Sequence, residues 1–395
     1  KKIPDYLFTV NQFYFSHNQI NCTFLLLLLL KYTFTIETKI NSKLWNENLS
    51  RNSSGTFYQT AENVKSTSDQ YFPIFISILN ENNEIVGQLA ITVTITTVLY
   101  SSNVLRLLLK IIKKITTRGS WTYGPVIHSK NNSERIEILK TLLEAIDFVS
   151  KKYNLVFVEG DTSPYDNLID EIFKNELVKN GYQIQKRITF VANLNDDIET
   201  LWNNIHKNAR RDVKRAEKKE IIIKKLETYD EIKDYLLLFQ NWAQTKGLTL
   251  IDSSLEIEKL YKNSQNGYET FLLAYHNTEL ISALRISHFN KIAIANFILS
   301  SYSESTSLGG PLLSWKALEW GKKNNIDYYD FTGGPFEALE SIDKTQESSL
   351  LFYKKKWGGD KLIHYGITKP QKKFHYMLYK LLFTLIRSYH NFKSK

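Results

Sequence analysis

One order of expected helices and strands occurs twice along the chain, and this repeat limits the possible folds more than any other feature of the sequence. The first half is predicted to contain strands at 55–60, 71–79, 85–100, 155–159 and 182–194 and helices at 133–152 and 165–180. The second half is predicted to contain helices at 229–246, 253–264 and 312–323 and strands at 269–276, 279–288, 291–300 and 327–331. Helices before a mostly antiparallel meander, then a helix and one more strand, indicate α/β (α+β) lobes.

The length of the chain favours two domains. Its 395 residues exceed what one hydrophobic core usually organises. We predict a first lobe at 37–190, a second lobe at 191–365 and a basic amphipathic helix at 366–395, and we leave residues 1–36 unassigned. The apolar run Phe24–Leu30 is far shorter than the ~20 residues that span a bilayer, so no transmembrane helix is expected there.

The sequence lacks the motifs of several common enzyme classes. Cys22 is the only cysteine, which excludes an intramolecular disulfide and a cysteine-based zinc site and fits a cytoplasmic protein. The GxxxxGK[ST] loop, the HExxH motif and the GxSxG elbow are absent. Nucleotide hydrolysis and zinc-dependent hydrolysis are therefore not expected, and we predict neither a metal site nor a bound cofactor.

The positive charge is concentrated in two segments. The chain carries a net charge of +10, yet residues 207–219 alone contain seven basic and two acidic residues. Residues 369–395 contain seven basic residues and no acidic one. Because the remainder of the chain is slightly acidic, the sequence predicts two local surfaces that face anions.

The first basic segment has the pattern of an amphipathic helix. Apolar residues at helical spacing form one stripe, consisting of Trp202, Ile205, Ala209, Val213 and Ala216. On the opposite side lie the basic residues Lys207, Arg211, Lys214, Arg215 and Lys218. The candidate anion ligands of the segment are Lys207, Arg210 and Arg211. The basic face is either a solvated outer surface or a contact for phosphates of a nucleotide-linked acceptor or of tRNA.

The second basic segment mixes aromatic and leucine side chains with lysine and arginine over residues 374–392. Helices at membrane interfaces have this composition. Docking of the helix on the protein core is the alternative explanation. If the helix lies on a membrane, anionic lipid is the expected partner, and the protein is then peripheral at the inner face of that membrane.

A glycine pair precedes one of the predicted helices. In the segment Ser307–Leu313, Gly309 and Gly310 stand just before Pro311, which is well tolerated in a first helical turn. Glycines there allow backbone N–H groups to approach an anion at the positive end of a helix. The pair either binds the pyrophosphate of a donor substrate or forms only a tight strand-to-helix turn.

Two further turns combine glycines with a charged residue. Asp330 ends a predicted strand and is followed by Gly333 and Gly334, a place where loops commonly build sites. The Asp330 carboxylate could orient a substrate amine or cap the next turn. In Lys354–Gly359, a lysine stands close to an aromatic residue, and a fixed cation of this kind can stabilise a developing oxyanion.

These segments, taken in order, resemble the FemABX family of peptidyltransferases and related GNAT-like (GCN5-related) acyltransferase domains. The resemblance rests on residues 207–219, 308–321, 328–334 and 353–359, with weaker agreement at Leu44-Trp45, 55–59 and 121–125. It implies two tandem GNAT-like lobes, each with a mixed, mostly antiparallel sheet flanked by helices. The short spacing between 219 and 229 implies that the long coiled-coil arm of some members is absent.

The resemblance also implies roles for particular residues. The family's Phe-Lys pair at the reaction centre corresponds to Tyr353 and Lys354, so that a tyrosine stands where phenylalanine is usual. Arg211, with Arg210, would lie near an anionic acceptor. The aromatic-Gly-Gly turn that follows corresponds to residues Trp357, Gly358 and Gly359, which we include among the predicted substrate-binding residues.

Family members commonly transfer amino acids from aminoacyl-tRNA to the peptide of a cell-wall precursor, as in peptidoglycan synthesis. The resemblance therefore implies an N-acyltransferase in which an acceptor amine attacks the donor directly while Lys354 compensates the oxyanion. One alternative is an acyl-CoA-dependent N-acyltransferase that acts on an amino sugar, lipid or polysaccharide precursor. A second alternative is an inert module that binds nucleic acid or membranes through its basic surfaces.

Overall fold

The computed structural model describes residues 31–64, 71–94, 115–166, 171–245, 254–301, 308–340 and 346–393. The chain divides into two compact units. The first unit contains residues 1–98, 103–184 and 366–395, and the second contains residues 99–102 and 185–365. The apolar run Phe24–Leu30, the end of the predicted strand at 85–100, and Ser307 lie outside the described residues.

The sheet of the first unit is built mainly from antiparallel neighbours. Its strands up to residue 161 are β1 Tyr32–Glu37, β2 Tyr71–Asn80, β3 Ile85–Thr94, β4 Arg118–Trp121, β5 Val126–Ile127 and β6 Phe157–Asp161. The strands from β1 to β4 are consecutive antiparallel neighbours, whereas β4 and β6 pair in parallel. This parallel pair forms because the chain returns to β6 through a long helix.

Helices cover this sheet. They are α1 Ser42–Ser50, α2 Ala61–Val64, α3 Asn132–Lys152 and α4 Glu171–Lys179. The helix α3 buries the apolar residues Leu139, Leu143, Ile146 and Val149, as its spacing predicted. The strand predicted at 55–60 is wrong: a single 3₁₀ turn, Phe57–Gln59, lies there, because the Gln59 and Thr60 N–H groups donate to carbonyls three residues earlier.

The second unit repeats the plan with longer strands. Its strands are β7 Gln183–Asn193, whose residues from 185 belong to this unit, β8 Ile222–Lys225, β9 Glu269–His276, β10 Glu279–Phe289, β11 Ile292–Ser300 and β12 Tyr328–Pro335. The strands from β8 to β11 form an antiparallel meander, and β11 pairs in parallel with β12. The strand β12 then pairs antiparallel with β7.

The helices of the second unit surround this sheet. They are α5 Ile198–Asn204, α6 Lys207–Lys218, α7 Tyr229–Thr245, α8 Ser254–Gln265, α9 Gly309–Lys323, α10 Phe336–Glu340 and α11 Gln346–Lys355. The main core is shared by α6, α9 and the strands from β7 to β12. Among the described residues there is no coiled-coil arm, and the predicted fold of two tandem lobes with mixed sheets is confirmed.

The last strand, β13 Asp360–Pro370, passes from the second unit into the first. From Gly366 onward it pairs antiparallel with β6. The C-terminal helix α12 is Lys373–Lys393, so residues 366–370, which we assigned to that helix, are strand instead. None of the helices in the described ranges is both long enough and apolar enough to cross a bilayer.

Candidate active site

The two parallel strands of the second unit, β11 and β12, separate after a few residues. The strand β11 pairs with β12 only from Ile292 to Ile294, opposite Tyr328 to Asp330. Beyond Asp330, the register between β12 and β7 shifts before pairing resumes at Gly333. Thr332 lies in this irregular segment with a φ of +59°, a left-handed conformation that is rare for a β-branched residue. Such strain commonly occurs at functional sites.

A buried carboxylate lies at the point where the strands separate. Asp330 has 0% of its surface exposed. Its Oδ1 accepts hydrogen bonds from the Thr189 hydroxyl and, at 2.6 Å, from the backbone N–H of Thr332. These donors compensate part of the cost of burying the carboxylate. The alternative function of Asp330, a cap on the following turn, is therefore present in the structure.

Lys354 reaches the same point from the last turn of α11. Its Nζ donates to Thr332 Oγ1 at 2.5 Å. Burial lowers the pKa of Lys354 to about 8, and the Asp330 carboxylate acts in the opposite direction. The lysine, the threonine and the aspartate thus form one chain of polar groups in which the cation lies at the half-buried end.

The side chain of Tyr353, on α11, lies against the N-terminal part of α9. Ser314 Oγ donates to the Gly310 carbonyl at 3.0 Å, so its own proton is used and the Tyr353 hydroxyl donates to Ser314 Oγ at 3.2 Å. Burial raises the pKa of Tyr353 to about 12, and Asp212 adds to this increase while Ser314 opposes it. Tyr353 is therefore a protonated hydroxyl beside the predicted glycine pair.

Helix α9 begins at Gly309, three residues before the predicted start at 312, so the glycine pair lies within its first turn. Leu308 precedes the helix and offers no side-chain cap to its first N–H groups. A Cβ on Gly309 would lie 2.7 Å from Ser282 Cβ, so glycine is needed there for close packing on β10. Gly310 is less restricted, because its nearest neighbours would stand at 3.5 Å or more. The first turn of α9 therefore lies beside the Tyr353 hydroxyl.

Several predicted substrate-binding residues have packing roles. Trp357 is buried and stacks on Phe331 with 6.3 Å between ring centroids. Gly358 has a φ of +77°, and a Cβ there would lie 2.7 Å from a backbone oxygen of α5, while a Cβ on Gly359 would lie 2.8 Å from a backbone nitrogen of β7. A Cβ on Gly333 would overlap the carbonyl of Ile188. Close packing explains these glycines, and their contact with substrate stays a prediction.

The basic helix α6 borders a groove of about 410 Å³. Its apolar stripe is buried as predicted, and its basic side chains line the groove together with Trp202. The groove contains Lys207, Arg210, Arg211, Lys214, Arg215 and Lys218. Asp212 is the nearby acid, 4.0 Å from Arg211 and 3.5 Å from Arg215. A surface with this excess of guanidinium and ammonium groups is suited to phosphate.

A backbone contact connects the groove to the lysine. His206 is the N-cap residue of α6, and its backbone N–H donates to the Lys356 carbonyl at 2.8 Å. Lys356 follows α11 directly, so the start of the basic helix is fixed two residues from Lys354. The start of α6, where Lys207, Arg210 and Arg211 lie, is therefore joined by this hydrogen bond to the segment that carries Tyr353 and Lys354.

The sequence did not identify every residue of this site. Thr332 was quoted in the motif at 328–334 without a role, and Thr189 and Ser314 carried no signal, since single hydroxyl residues in a strand or helix are common. Asp212 was counted only as a charge. In the described part of the chain, no group of three or more His, Cys, Asp and Glu side chains is arranged to hold a metal ion.

Comparison with known proteins supports the fold. No family model matches the sequence, and no curated protein does. A crystal structure of FemX is similar with a TM-score of 0.65 and 13% identity, over 86% of this chain and 98% of that one. The C-terminal domain of a protein described as a lysylphosphatidylglycerol synthetase, from Agrobacterium fabrum, follows with a TM-score of 0.51 and 9% identity, over 84% of this chain and 94% of that one. The chain thus has the fold of FemX.

Proposed function

We propose that this protein is an N-acyltransferase that moves an aminoacyl or acyl group from an activated ester or thioester to an acceptor amine. The observation that carries the proposal is the half-buried ammonium group of Lys354, which donates to the Thr332 hydroxyl at the split between β11 and β12, while the Thr332 backbone N–H donates to Asp330. A fixed cation in a partly dehydrated site is suited to stabilise a negative charge that develops during a reaction.

The chemistry needs only positioning and charge stabilisation. The lone pair of the acceptor amine attacks the donor carbonyl carbon, a C–N bond forms, and the carbonyl oxygen becomes an oxyanion beside Lys354. Collapse of this intermediate breaks the C–O bond of an aminoacyl ester or the C–S bond of a thioester. The amine proton passes through solvent to the leaving alkoxide or thiolate. Binding both substrates in reacting geometry supplies much of the remaining rate enhancement.

The groove along α6 supports the proposal that one of the substrates is anionic. Six basic side chains line it, and Arg211 is 66% exposed, so its guanidinium is open to a ligand. A nucleotide- or lipid-linked acceptor or the phosphates of tRNA would supply the required negative charge. The resemblance to FemABX proteins and the fold shared with FemX favour aminoacyl-tRNA as donor and a cell-envelope precursor as acceptor.

A second donor class has its own supporting observation. The first turn of α9 has Gly310 beside the Tyr353 hydroxyl and no side-chain cap from Leu308, and backbone N–H groups at a helix start could bind the pyrophosphate of an acyl-CoA. Under this alternative, the same lysine would stabilise the oxyanion of a thioester, and the acceptor would be the amine of a sugar, lipid or polysaccharide precursor.

A donor panel tests the proposal. Purified protein is incubated with radiolabelled aminoacyl-tRNAs or acyl-CoAs and a cell extract as acceptor, and label in small products is measured. We expect transfer from tRNA that ribonuclease abolishes. Transfer from acyl-CoA alone would select the second donor class. Absence of transfer from either, together with polyanion binding that weakens steeply with salt, would support the inert binding module and overturn the proposal.

A further inference from the structure

One face of the C-terminal helix α12 is fixed to the first unit. The rings of Tyr376 and Tyr379 pack on Phe157 with centroid distances of 5.0 and 4.7 Å. Arg118 Nη1 donates to the Tyr379 hydroxyl at 2.8 Å. Lys372, just before the helix, donates through Nζ to the side chain of Asn154 at 2.5 Å. These contacts determine which side of α12 faces away from the protein.

The opposite face of α12 carries an apolar stripe. Phe374, Met377, Leu381 and Leu385 recur at helical spacing and are 63%, 58%, 57% and 60% exposed. We call these four residues the exposed stripe. Isolated apolar residues on a surface are ordinary, but four in a row along one helix face indicate a partner.

The charge around the stripe indicates what that partner is. No acidic residue occurs between 369 and 395, so nothing in the helix opposes an anionic partner. Lys373 and Lys380 are exposed and, at 100° per residue, lie beside the stripe on the same flank. Lys380 Nζ stands 4.7 Å from the centroid of the Tyr376 ring, which holds its stem along the helix. Apolar side chains bordered by flexible cations match the acyl-chain and headgroup layers of a bilayer.

We propose that α12 is a membrane-surface helix that lies in the plane of an anionic phospholipid bilayer with the exposed stripe inserted. Its 21 residues extend over about 31 Å at 1.5 Å per residue, so the four side chains can enter the interface together. The lysines then contact lipid phosphates. This surface is independent of the proposed transfer chemistry, because it rests only on residues of the first unit.

Vesicle sedimentation with the full chain tests this surface. We expect the protein to sediment with phosphatidylcholine vesicles that contain phosphatidylglycerol and to remain in solution with phosphatidylcholine alone. The double variant Met377→Asp/Leu381→Asp should lose at least ten-fold in partitioning, because it places two carboxylates in the inserted layer. Val178→Asp is a matched control on α4, since Val178 is 57% exposed and belongs to the same unit.

A charge series separates the two basic surfaces of the chain. Lys373→Gln/Lys380→Gln should weaken partitioning about five-fold per lysine, because each basic residue near an anionic surface contributes on that scale. Lys214→Gln/Lys218→Gln removes the same charge from α6 and should leave partitioning unchanged. Loss in the α6 variant alone would show that α6 holds the vesicle and would overturn the proposal.

Two further outcomes would contradict the proposal. Equal sedimentation of wild type and Met377→Asp/Leu381→Asp, with the melting temperature of the variant unchanged, would show that the stripe does not enter lipid. A wild-type dimer in sedimentation velocity that the same variant dissociates, without any vesicle binding, would identify a second copy of the chain as the partner of the stripe.

Discussion

Each unit contains a pair of adjacent parallel strands, and the residues at the end of that pair differ between the two units. In the first unit β4 pairs with β6 after the chain has passed through α3, and in the second β11 pairs with β12 after α9. In the first unit, Trp121 lies against Gly160 of β6, where a Cβ would overlap the indole ring. The indole Nε1–H donates to the Gly124 carbonyl at 3.2 Å. The end of this pair is therefore filled by a buried aromatic side chain.

In the second unit, the corresponding parallel strands separate early, and polar side chains lie at the point of separation; we call this the open strand pair. Pairing between β11 and β12 stops at Asp330, and Thr332 and Lys354 continue the line of polar groups from that carboxylate. Burying these groups costs free energy that an indole ring in the same place would not. An aromatic side chain therefore occupies the end of the parallel pair in the first unit, whereas polar groups occupy it in the second, which is the arrangement that the proposed transfer chemistry requires.

The largest expected effect is on transfer activity in the second unit. Lys354→Met keeps most of the side-chain volume and removes the cation, and we expect the turnover number to fall about 10²–10³-fold, as when one oxyanion donor is removed from an enzyme. Single-turnover transfer from the active donor measures it. Lys355→Met is the control, because Lys355 is the exposed neighbour on the same helix. Full turnover in Lys354→Met would remove the lysine from the reaction centre.

The next largest effect is on stability, in the first unit. Gly160→Ala forces Trp121 out of its place, and we expect a loss of about 1–3 kcal/mol in the free energy of unfolding, as for overpacked cores. Gly334→Ala on β12 should change it by less than about 0.5 kcal/mol, since the new Cβ would stand 3.4 Å from Leu351, an ordinary contact. Urea denaturation compares the two. Equal losses would show that both strand pairs are equally filled.

Much of the fold follows from sequence patterns. The meander of the second unit and the helices α3 and α6 were predictable because apolar periodicity and turn residues were strong there. The strand β1 was missed, since its burial depends on pairing with β2, a contact that no local signal reports. The error at 55–60 has the same cause. Phe57 is buried as a strand residue would be, but it lies in a 3₁₀ turn whose backbone hydrogen bonds cannot be predicted from residue types.

The site was predictable only in part. Its lysine, aspartate and basic helix were identified because charged residues beside glycine turns stand out and because the order of the motifs resembles that of the FemABX family. The contact of Thr332 with Lys354 could not be predicted from the sequence. It depends on the left-handed backbone conformation of Thr332 and on the reach of the Lys354 side chain across 22 positions of sequence. The packing of Gly333, Gly358 and Gly359 depends on neighbours distant in sequence, so spacing alone could not separate it from substrate contact.

Thr332 gives a smaller and more specific test of the open strand pair. Thr332→Val keeps the branched shape and removes the hydroxyl that accepts from Lys354, and we expect about a ten-fold fall in kcat with KM unchanged, consistent with one hydrogen bond to a charged group. Thr332→Ser should retain most of the activity because it keeps the oxygen. If valine and serine behaved alike, the hydroxyl would have no positioning role.

The smallest expected effect is a change in pH dependence that distinguishes two roles for Lys354. Burial lowers its pKa to about 8, so the ammonium form that stabilises an oxyanion is present below that pH and is lost above it. The single-turnover rate should therefore fall as pH rises through about 8. Because the Asp330 carboxylate raises this pKa, Asp330→Asn should move the falling limb to lower pH.

The same profile can reject the electrostatic role. A limb that rises through about pH 8 and is absent from Lys354→Met would mean that the neutral amine of Lys354 is the active form and removes the proton of the acceptor. The Lys354→Met protein provides the control, because its residual rate should show neither limb if the lysine is the titrating group. A falling limb that persists in Lys354→Met would belong to another group, and the open strand pair would then hold the lysine without using its charge.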